Sequence, residues 1–384
     1  MNNYSKQYQQ SATAIIQAYD GSVPLAAWLK EYFRQHKKMG SRDRKAISHL
    51  CYCFYRLGGC FSHVPISERI IIGLFLCATE PNELMEGLRP VWNPHMHLTA
   101  HQKLALVDAP DEWWTLFPER SEVSDAIQYE AFALSHWLQP LLYLRLRPGR
   151  EEVAAQKLHA ASLSYERISS HCIGLPNNTN VERLIELNEE AVVQDQSSQE
   201  VLQTLIKQPL PQKFRLWDCC AASGGKSILA YDLFPGVHIT ATDVRTSILH
   251  NLRNRFAQAG IHNYESFVWD SSPKPLDKKF DVVLCDAPCS GSGTWGRTPE
   301  GLHFFTEQKL IHYQQLQQRI AVNAAQSVKS GGYFVYITCS VYTAENEAVL
   351  QHILAHTQLK LLYQEYHKGY THRADTLFAA LFQL

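Results

Sequence analysis

Two cysteines and an aspartate are the residues of this chain best placed to do chemistry. Cys339 lies in the run TCS, Thr338 to Ser340, and Asp286 and Cys289 lie in DAPCSGSG, Asp286 to Gly293. Each run follows a short apolar stretch that reads as a strand, at 281–284 and 333–337. A cysteine inside a strand, such as Cys285, is usually a small core filler, whereas one just past a strand end faces a ligand crevice. A thiolate there is suited to covalent nucleophilic catalysis. A free thiol of pKa about 8.5 is only slightly ionised at neutral pH, so the site must offset roughly 2 kcal/mol with local positive potential or helix dipoles. Lys226 is the candidate cation in the chain.

A second constellation sits at the ends of neighbouring strands. The run DCCAASGGKS, Asp218 to Ser227, places Gly224 and Gly225 between a strand and a helix, where a backbone without side chains can approach a ligand closely. Asp243 closes the following strand and is placed to accept hydrogen bonds from ribose hydroxyls. Asp270 closes the next and is placed to meet an adenine amino group. A phosphate-binding P-loop is excluded, because the glycine it needs five residues before Gly225 is Cys220, and the G-x-G-x-x-G of a nicotinamide site is absent from this strand-to-helix turn. The glycine pair with two acidic strand ends implies a pocket for S-adenosylmethionine. Its expected binding residues are Cys220, Ala221, Ala222, Ser223, Gly224, Gly225, Lys226, Asp243, Asp270 and Asp286.

These positions require a parallel sheet. From about Phe214 the pattern alternates: strand 215–219, helix 226–234, strand 237–242, helix 245–259, strands 266–269 and 281–284, a long helix 306–329 ending at Gly331-Gly332, strand 333–337, helix 344–355 and a last strand 376–382. Strands alternating with helices predict an α/β, Rossmann-like domain with a mostly parallel sheet, its ligands outside the carboxyl strand ends. Upstream, 141–147 reads as a strand and 151–161 as a helix, implying a small α+β module. The first 110 residues or so show helical spacing, punctuated by Gly21-Ser22, Gly40-Ser41 and Gly58-Gly59. Three domains are expected, over 1–125, 126–193 and 194–384.

The net charge of −1 over 384 residues gives no whole-chain basic footprint for nucleic acid. The first 50 residues differ, with Lys6, Lys30, Arg34, Lys37, Lys38, Arg42, Arg44 and Lys45 against only Asp20, Glu31 and Asp43. Such a run is either a solvated helix face or a surface for phosphates. The ten cysteines are scattered, which fits reduced thiols in a cytoplasm better than a disulfide framework. Cys51, Cys53 and Cys60 lie in an apolar helical run, so with His63 they read as buried thiols and no metal is expected. The amino terminus lacks a signal-peptide pattern, and the longest apolar run, 70–78, is too short to cross a bilayer, so neither export nor membrane insertion is expected.

The combination DCCAASGGKS, DAPCSGSG and TCS, followed by Glu345-Asn346-Glu347, closely resembles the RsmB/Sun-type RNA cytosine-5 methyltransferases from about Gln194 onward. Gly40 to Arg44, GSRDR, is similar to that subfamily's NusB-type helical RNA-binding domain, and 140–147 is similar to its ferredoxin-like module. The resemblance implies a class I methyltransferase fold and transfer of a methyl group from S-adenosylmethionine to C5 of a cytosine in RNA, small-subunit ribosomal RNA being the first expectation and transfer RNA the alternative. It implies that Cys339 is the nucleophile, that Cys289 serves product release, and that Asp286 contacts the target base. A monomer is expected. The family's usual first-motif proline is Ser223 here, which is expected to loosen that loop, and its C-terminal Asp-Gly-Phe-Phe reads Asp375-Thr376-Leu377-Phe378. DNA cytosine-5 methyltransferases use the cysteine that corresponds to Cys289 and lack the one in TCS, so both cysteines together favour RNA. A non-catalytic ribosome-assembly factor would be marked by a missing cysteine or cofactor aspartate, and neither is missing.

Overall fold

The computed structural model describes residues 3–271 and 276–384 and divides them into two compact units. The first, 1–139 with 294–307, is helical. Its main helices are Asn3–Ala18, Leu25–Gln35, Ser41–Tyr55 and Ile66–Cys77, with shorter ones at Glu83–Leu88, Ala100–Leu106 and Tyr129–Ser135. Helical spacing explains them: Leu25, Leu29 and Phe33 are buried along one stripe, as are Ala12, Ile15 and Ile16 on the first helix. The Asn82 side chain accepts from the Met85 amide to cap one helix, and a Thr99/Gln102 capping box starts another. Cys51, Cys53 and Cys60 are buried in this unit. Of the basic run, Arg34 pairs with Glu31 and Arg42 with Glu83, while Lys6, Lys30, Lys37, Lys38 and Lys45 are exposed.

The second unit, 140–293 with 308–384, contains two sheets. Strands β1 (Leu142–Leu146), β2 (Glu166–Arg167), β3 (Cys172–Leu175) and β4 (Ala191–Val193) form an antiparallel sheet in the order β2-β3-β1-β4, with the helix Glu151–Ala160. The larger sheet holds β5 (Phe214–Asp218), β6 (Val237–Asp243), β7 (Tyr264–Val268), β8 (Phe280–Asp286), β9 (Val328–Thr338), β10 (Lys360–Lys368) and β11 (Thr376–Gln383). Its order is β10-β11-β9-β8-β5-β6-β7; β9, β8, β5, β6 and β7 are parallel, and β11 is antiparallel to both neighbours. Helices Gly225–Leu233, Thr246–Gln258, Glu307–Ala325 and Glu347–His356 connect the strands, the Rossmann-like α/β arrangement that the alternation predicts. Strand order reverses between β5 and β8, so the crevice beyond their carboxyl ends is the natural ligand position.

Asp232, on the helix after β5, joins the two sheets. Its carboxylate is buried and receives Arg145 Nη1 at 2.6 Å and Arg147 Nη2 at 2.6 Å.

The structure departs from the sequence reading at two places. The long helix stops at Ala325, and Gly331-Gly332 lie inside β9 rather than ending the helix. There β9 bulges against β8: Val328 pairs with Phe280 and Tyr333 with Val282, and Gly331 takes the left-handed conformation (φ 75°) that the detour needs. The strand β10 has no counterpart in the sequence reading. It is mostly exposed at the sheet edge, so its residues carry no apolar alternation to detect.

Candidate active site

Beyond β5 the chain turns through 219–224 in a tightly held loop. Cys219 donates its amide to Leu284 O at 2.9 Å and Ala221 donates to Thr242 O at 2.8 Å, so the loop stays bonded to strands on both sides. Ala222 has a left-handed backbone (φ 46°), uncommon for a residue with a side chain, and its amide donates to Asp243 Oδ2 at 3.1 Å. Gly224 is also left-handed (φ 85°), and a Cβ there would lie 2.7 Å from the Phe256 ring. This position therefore requires glycine for its backbone conformation and its packing against Phe256.

Asp243, at the end of β6, is nearly buried. Besides the Ala222 amide, its carboxylate accepts from the Arg245 amide at 2.9 Å and from the Arg245 guanidinium at 3.0 and 3.2 Å. Asp270 is exposed and lies two residues past β7 rather than at its end.

Lys226 enters in the first turn of the helix and donates to Asp286 Oδ2, at the end of β8, at 2.7 Å. Burial would lower the Lys226 pKa, but the Asp286 carboxylate outweighs it and raises it; Cys339 adds to that pull. Asp218 is buried behind this pair. Its Oδ2 accepts from Ser227 Oγ at 2.6 Å, and burial pushes its pKa up to about 7 against that bond.

Cys289 and Cys339, past the ends of β8 and β9, lie with their sulfurs 3.3 Å apart. The Cys289 thiol is pushed well above its ordinary range, first by its contact with Cys339 and then by burial and the Glu345 charge.

Glu345 secures both cysteine loops. It is fully buried and accepts from the Ser290 amide at 2.8 Å, from Ser290 Oγ at 2.5 Å, from Ser340 Oγ, and from Gln317 Nε2 at 2.9 Å. Burial raises its pKa against these donors. Ser290 follows Cys289 and Ser340 follows Cys339, so one carboxylate holds both loops. Asn346 adds a second tie, accepting from Thr338 Oγ1 at 2.5 Å and donating to Ser340 O at 2.9 Å. Gly293 donates to Cys339 O at 2.9 Å, and a Cβ there would fall 1.9 Å from Thr376 O.

The structure thus brings Lys226, Asp286, Cys289 and Cys339 together beside the 219–224 loop and Asp243, with Asp270 at the periphery of the same strand ends. Glu345, Gln317, Ser290 and Arg245 enter the site without having been singled out as site residues. The run Glu345-Asn346-Glu347 was the available signal for the first of these.

Glu345→Ala should remove the acceptor shared by four donors, leaving the Ser290 amide unpaired, and lower unfolding free energy by about 2–4 kcal/mol, read from urea midpoints; an unchanged midpoint would contradict the clamp. Asp218 gives a pH prediction. Its folded-state pKa exceeds its unfolded one, so the folded protein holds this proton more tightly, and the associated stability is lost as pH rises from about 4 to about 7. Asp218→Asn cannot ionise and should gain stability relative to wild type as pH rises through that window. Parallel pH profiles for the two proteins would rule this out.

Comparison with known proteins fits this geometry. Residues 204–378 match the family model described as 16S rRNA methyltransferase RsmB/F. The chain is 30% identical over 281 residues to ribosomal RNA small subunit methyltransferase B of Xylella fastidiosa (strain Temecula1), covering 69% of this chain and 62% of that protein. The chain therefore spans a little under two thirds of the length of this curated relative. The crystal structure of PH0851 superposes over 100% of this chain and 99% of its own, with TM-score 0.71 and 19% identity. NSun6 from Pyrococcus horikoshii, solved with SFG, covers 67% of this chain and 94% of its own, with TM-score 0.56 and 15% identity. These structures share the fold. Among the described residues, no helix is long and apolar enough to cross a membrane. The matched segment, 204–378, contains both cysteine loops and is similar to the RsmB/F methyltransferase family.

Proposed function

We propose that this protein is an S-adenosylmethionine-dependent RNA methyltransferase acting on C5 of a cytosine, in small-subunit ribosomal RNA. The observation that carries the reading is the pair of thiols 3.3 Å apart at the ends of adjacent parallel strands, beside the Lys226–Asp286 pair and the glycine loop. The relative's name supplies the substrate class. SFG, an analogue of S-adenosylmethionine in the NSun6 structure, supports the cofactor.

The 219–224 loop fits a cofactor site: it turns beyond the end of β5 through two left-handed residues, with the carboxylates of Asp243 and Asp286 at neighbouring strand ends. The residues assigned to hold the cofactor are Cys220 to Lys226, Asp243, Asp270 and Asp286. Asp243 would accept from ribose hydroxyls, and the Arg245 guanidinium now paired with it is 60% exposed. When bound, the cofactor supplies a methyl group on a sulfonium.

Cytosine C5 is a poor nucleophile. The Cys339 thiolate adds to C6, forming a C–S bond as the C5–C6 double bond opens and giving C5 enamine character; C5 would then take the methyl group as its bond to the cofactor sulfur breaks, leaving a neutral thioether. Lys226 supplies positive potential for thiolate formation. Asp286 accepts from the exocyclic amine and from N3 protonated as the adduct forms. A base, such as a water admitted to the site, takes the C5 proton, and the C–H electron pair re-forms the C5–C6 double bond and expels the Cys339 thiolate. Cys289, held as a thiol, is assigned to this release step. The base must be unstacked for C6 to be reached. We assign residues 1–125 as the helical RNA-binding domain, with the exposed lysines of its first 50 residues as phosphate contacts, 126–193 as a ferredoxin-like module and 194–384 as the methyltransferase domain.

The test uses purified protein, S-adenosylmethionine and small-subunit ribosomal RNA, with the product mapped by bisulfite sequencing. Cys339→Ala should abolish methylation while retaining cofactor binding, and Cys289→Ala should accumulate a covalent RNA adduct visible as a shifted band on a denaturing gel. Methylation at the wild-type rate by Cys339→Ala would overturn the nucleophile assignment; free turnover without adduct by Cys289→Ala would overturn the release role.

A further inference from the structure

Ser223 stands where the family has a proline, and the sequence alone suggests a looser loop. The loop is instead pinned from outside. Arg255, in the last turn of the helix Thr246–Gln258, donates through Nη1 to Ser223 O at 3.0 Å and to Ser223 Oγ at 2.8 Å. Through Nε it donates to Asn188 Oδ1 at 2.9 Å. The planar guanidinium thus spans two segments at once, which a lysine could not do in the same geometry.

Asn188 is a rigid anchor. It is 8% exposed and left-handed (φ 69°). Its amide donates to Ala191 O at 2.7 Å, its carbonyl accepts from Arg147 Nη1 at 2.9 Å, and its Nδ2 donates to Gln258 Oε1 at 2.8 Å. With Oδ1 taken by Arg255, each of its polar atoms is engaged. Asn188 precedes β4, so the bridge runs from the small antiparallel sheet to the loop after β5.

The loop needs such support. Ser223 lies between left-handed Ala222 and left-handed Gly224, and a costly backbone of this kind persists only where surrounding contacts over-determine it. Ala222 has the Asp243 carboxylate and Gly224 has Ala221 O; Ser223 has Arg255. The three acceptors of the guanidinium are neutral oxygens, so its burial is not offset by ion pairing through these bonds.

We propose that Arg255 is a positioning residue for the cofactor loop, fixing Ser223 against Asn188 by hydrogen bonds where relatives of the family use a proline ring. The inference rests on the cofactor reading above. It follows that a proline ring at 223, which fixes the backbone without the Oγ bond, reduces the dependence of cofactor affinity on Arg255.

The experiment titrates S-adenosylmethionine calorimetrically into the full chain as wild type, Arg255→Met, Ser223→Pro and the double variant, with Tm and steady-state kinetics on each. Arg255→Met should weaken cofactor binding about 10-fold, consistent with lost bonds from a charged donor. It should raise the cofactor KM accordingly and change kcat at saturation by less than about 2-fold. In the Ser223→Pro background the same substitution should weaken binding less than about 2-fold, a coupling that a generally destabilised helix would not produce. If Arg255→Met fails to fold, Ser223→Ala, which removes only the Oγ acceptor, should weaken binding about 3-fold and speed hydrogen exchange at the Gly224 and Gly225 amides. Equal losses in both backgrounds, or an unchanged affinity for Arg255→Met or Ser223→Ala, overturn the role of Arg255 alone. A wild-type protein that binds no S-adenosylmethionine overturns the cofactor reading and the role of Arg255 with it.

Discussion

Glu345 sits with 0% exposure among four donors, three of them on the two residues that follow the cysteines. A carboxylate taken out of water is costly unless its oxygens are saturated, so the loops that supply the donors must converge on it. Once Ser290 and Ser340 are fixed, so are Cys289 and Cys339, and the distance between the sulfurs is no longer adjustable by either loop alone. Gln317 brings the long helix into the same arrangement by donating also to Pro288 O at 3.0 Å. The parallel sheet provides the coarse placement of strand ends, and this buried acid provides the fine placement of the thiols.

The other half of the site uses different means. There the backbone itself is bent into left-handed conformations at Ala222 and Gly224, and side chains from beyond the loop hold it: Asp243 from β6 and Arg255 from the following helix. Lys226 and Asp286 join the halves across β5 and β8 by a 2.7 Å ion pair. Charge is nearly balanced in this centre. Burial raises the pKa of Asp218, behind that pair, to about 7.

The parts of this architecture legible in the sequence are those with local signals. Strand ends show up as apolar runs stopping at Asp218, Asp243, Asp286 and Thr338, and the helices between them carry the 3.6-residue period, so the sheet and the meeting of Lys226, Asp286, Cys289 and Cys339 could be expected. What escaped depends on tertiary context. A glutamate reads as a surface residue, and nothing local says that Glu345 is buried among hydroxyls. Arg255 lies 32 residues from Ser223, on a helix face that looks solvated in sequence, and Ser223 itself read as a weakness because its partner is not local. Gly331-Gly332 carried a helix-stop signal, but the glycines serve a bulge in β9.

The polar face of β10 has a meaning for the chain as a colloid. A seven-stranded sheet whose central strands are buried on both faces ends, on this side, in a row of backbone groups with no further strand to pair. Left flat and apolar, such an edge is a template for another copy of itself. Here Lys360, Glu365 and Lys368 stand exposed along it beside Leu362 and Tyr363, and the pairing with β11 shifts register between Leu361 and Tyr363. The features that hid β10 from a hydrophobicity reading are the same ones that keep the sheet from growing past it.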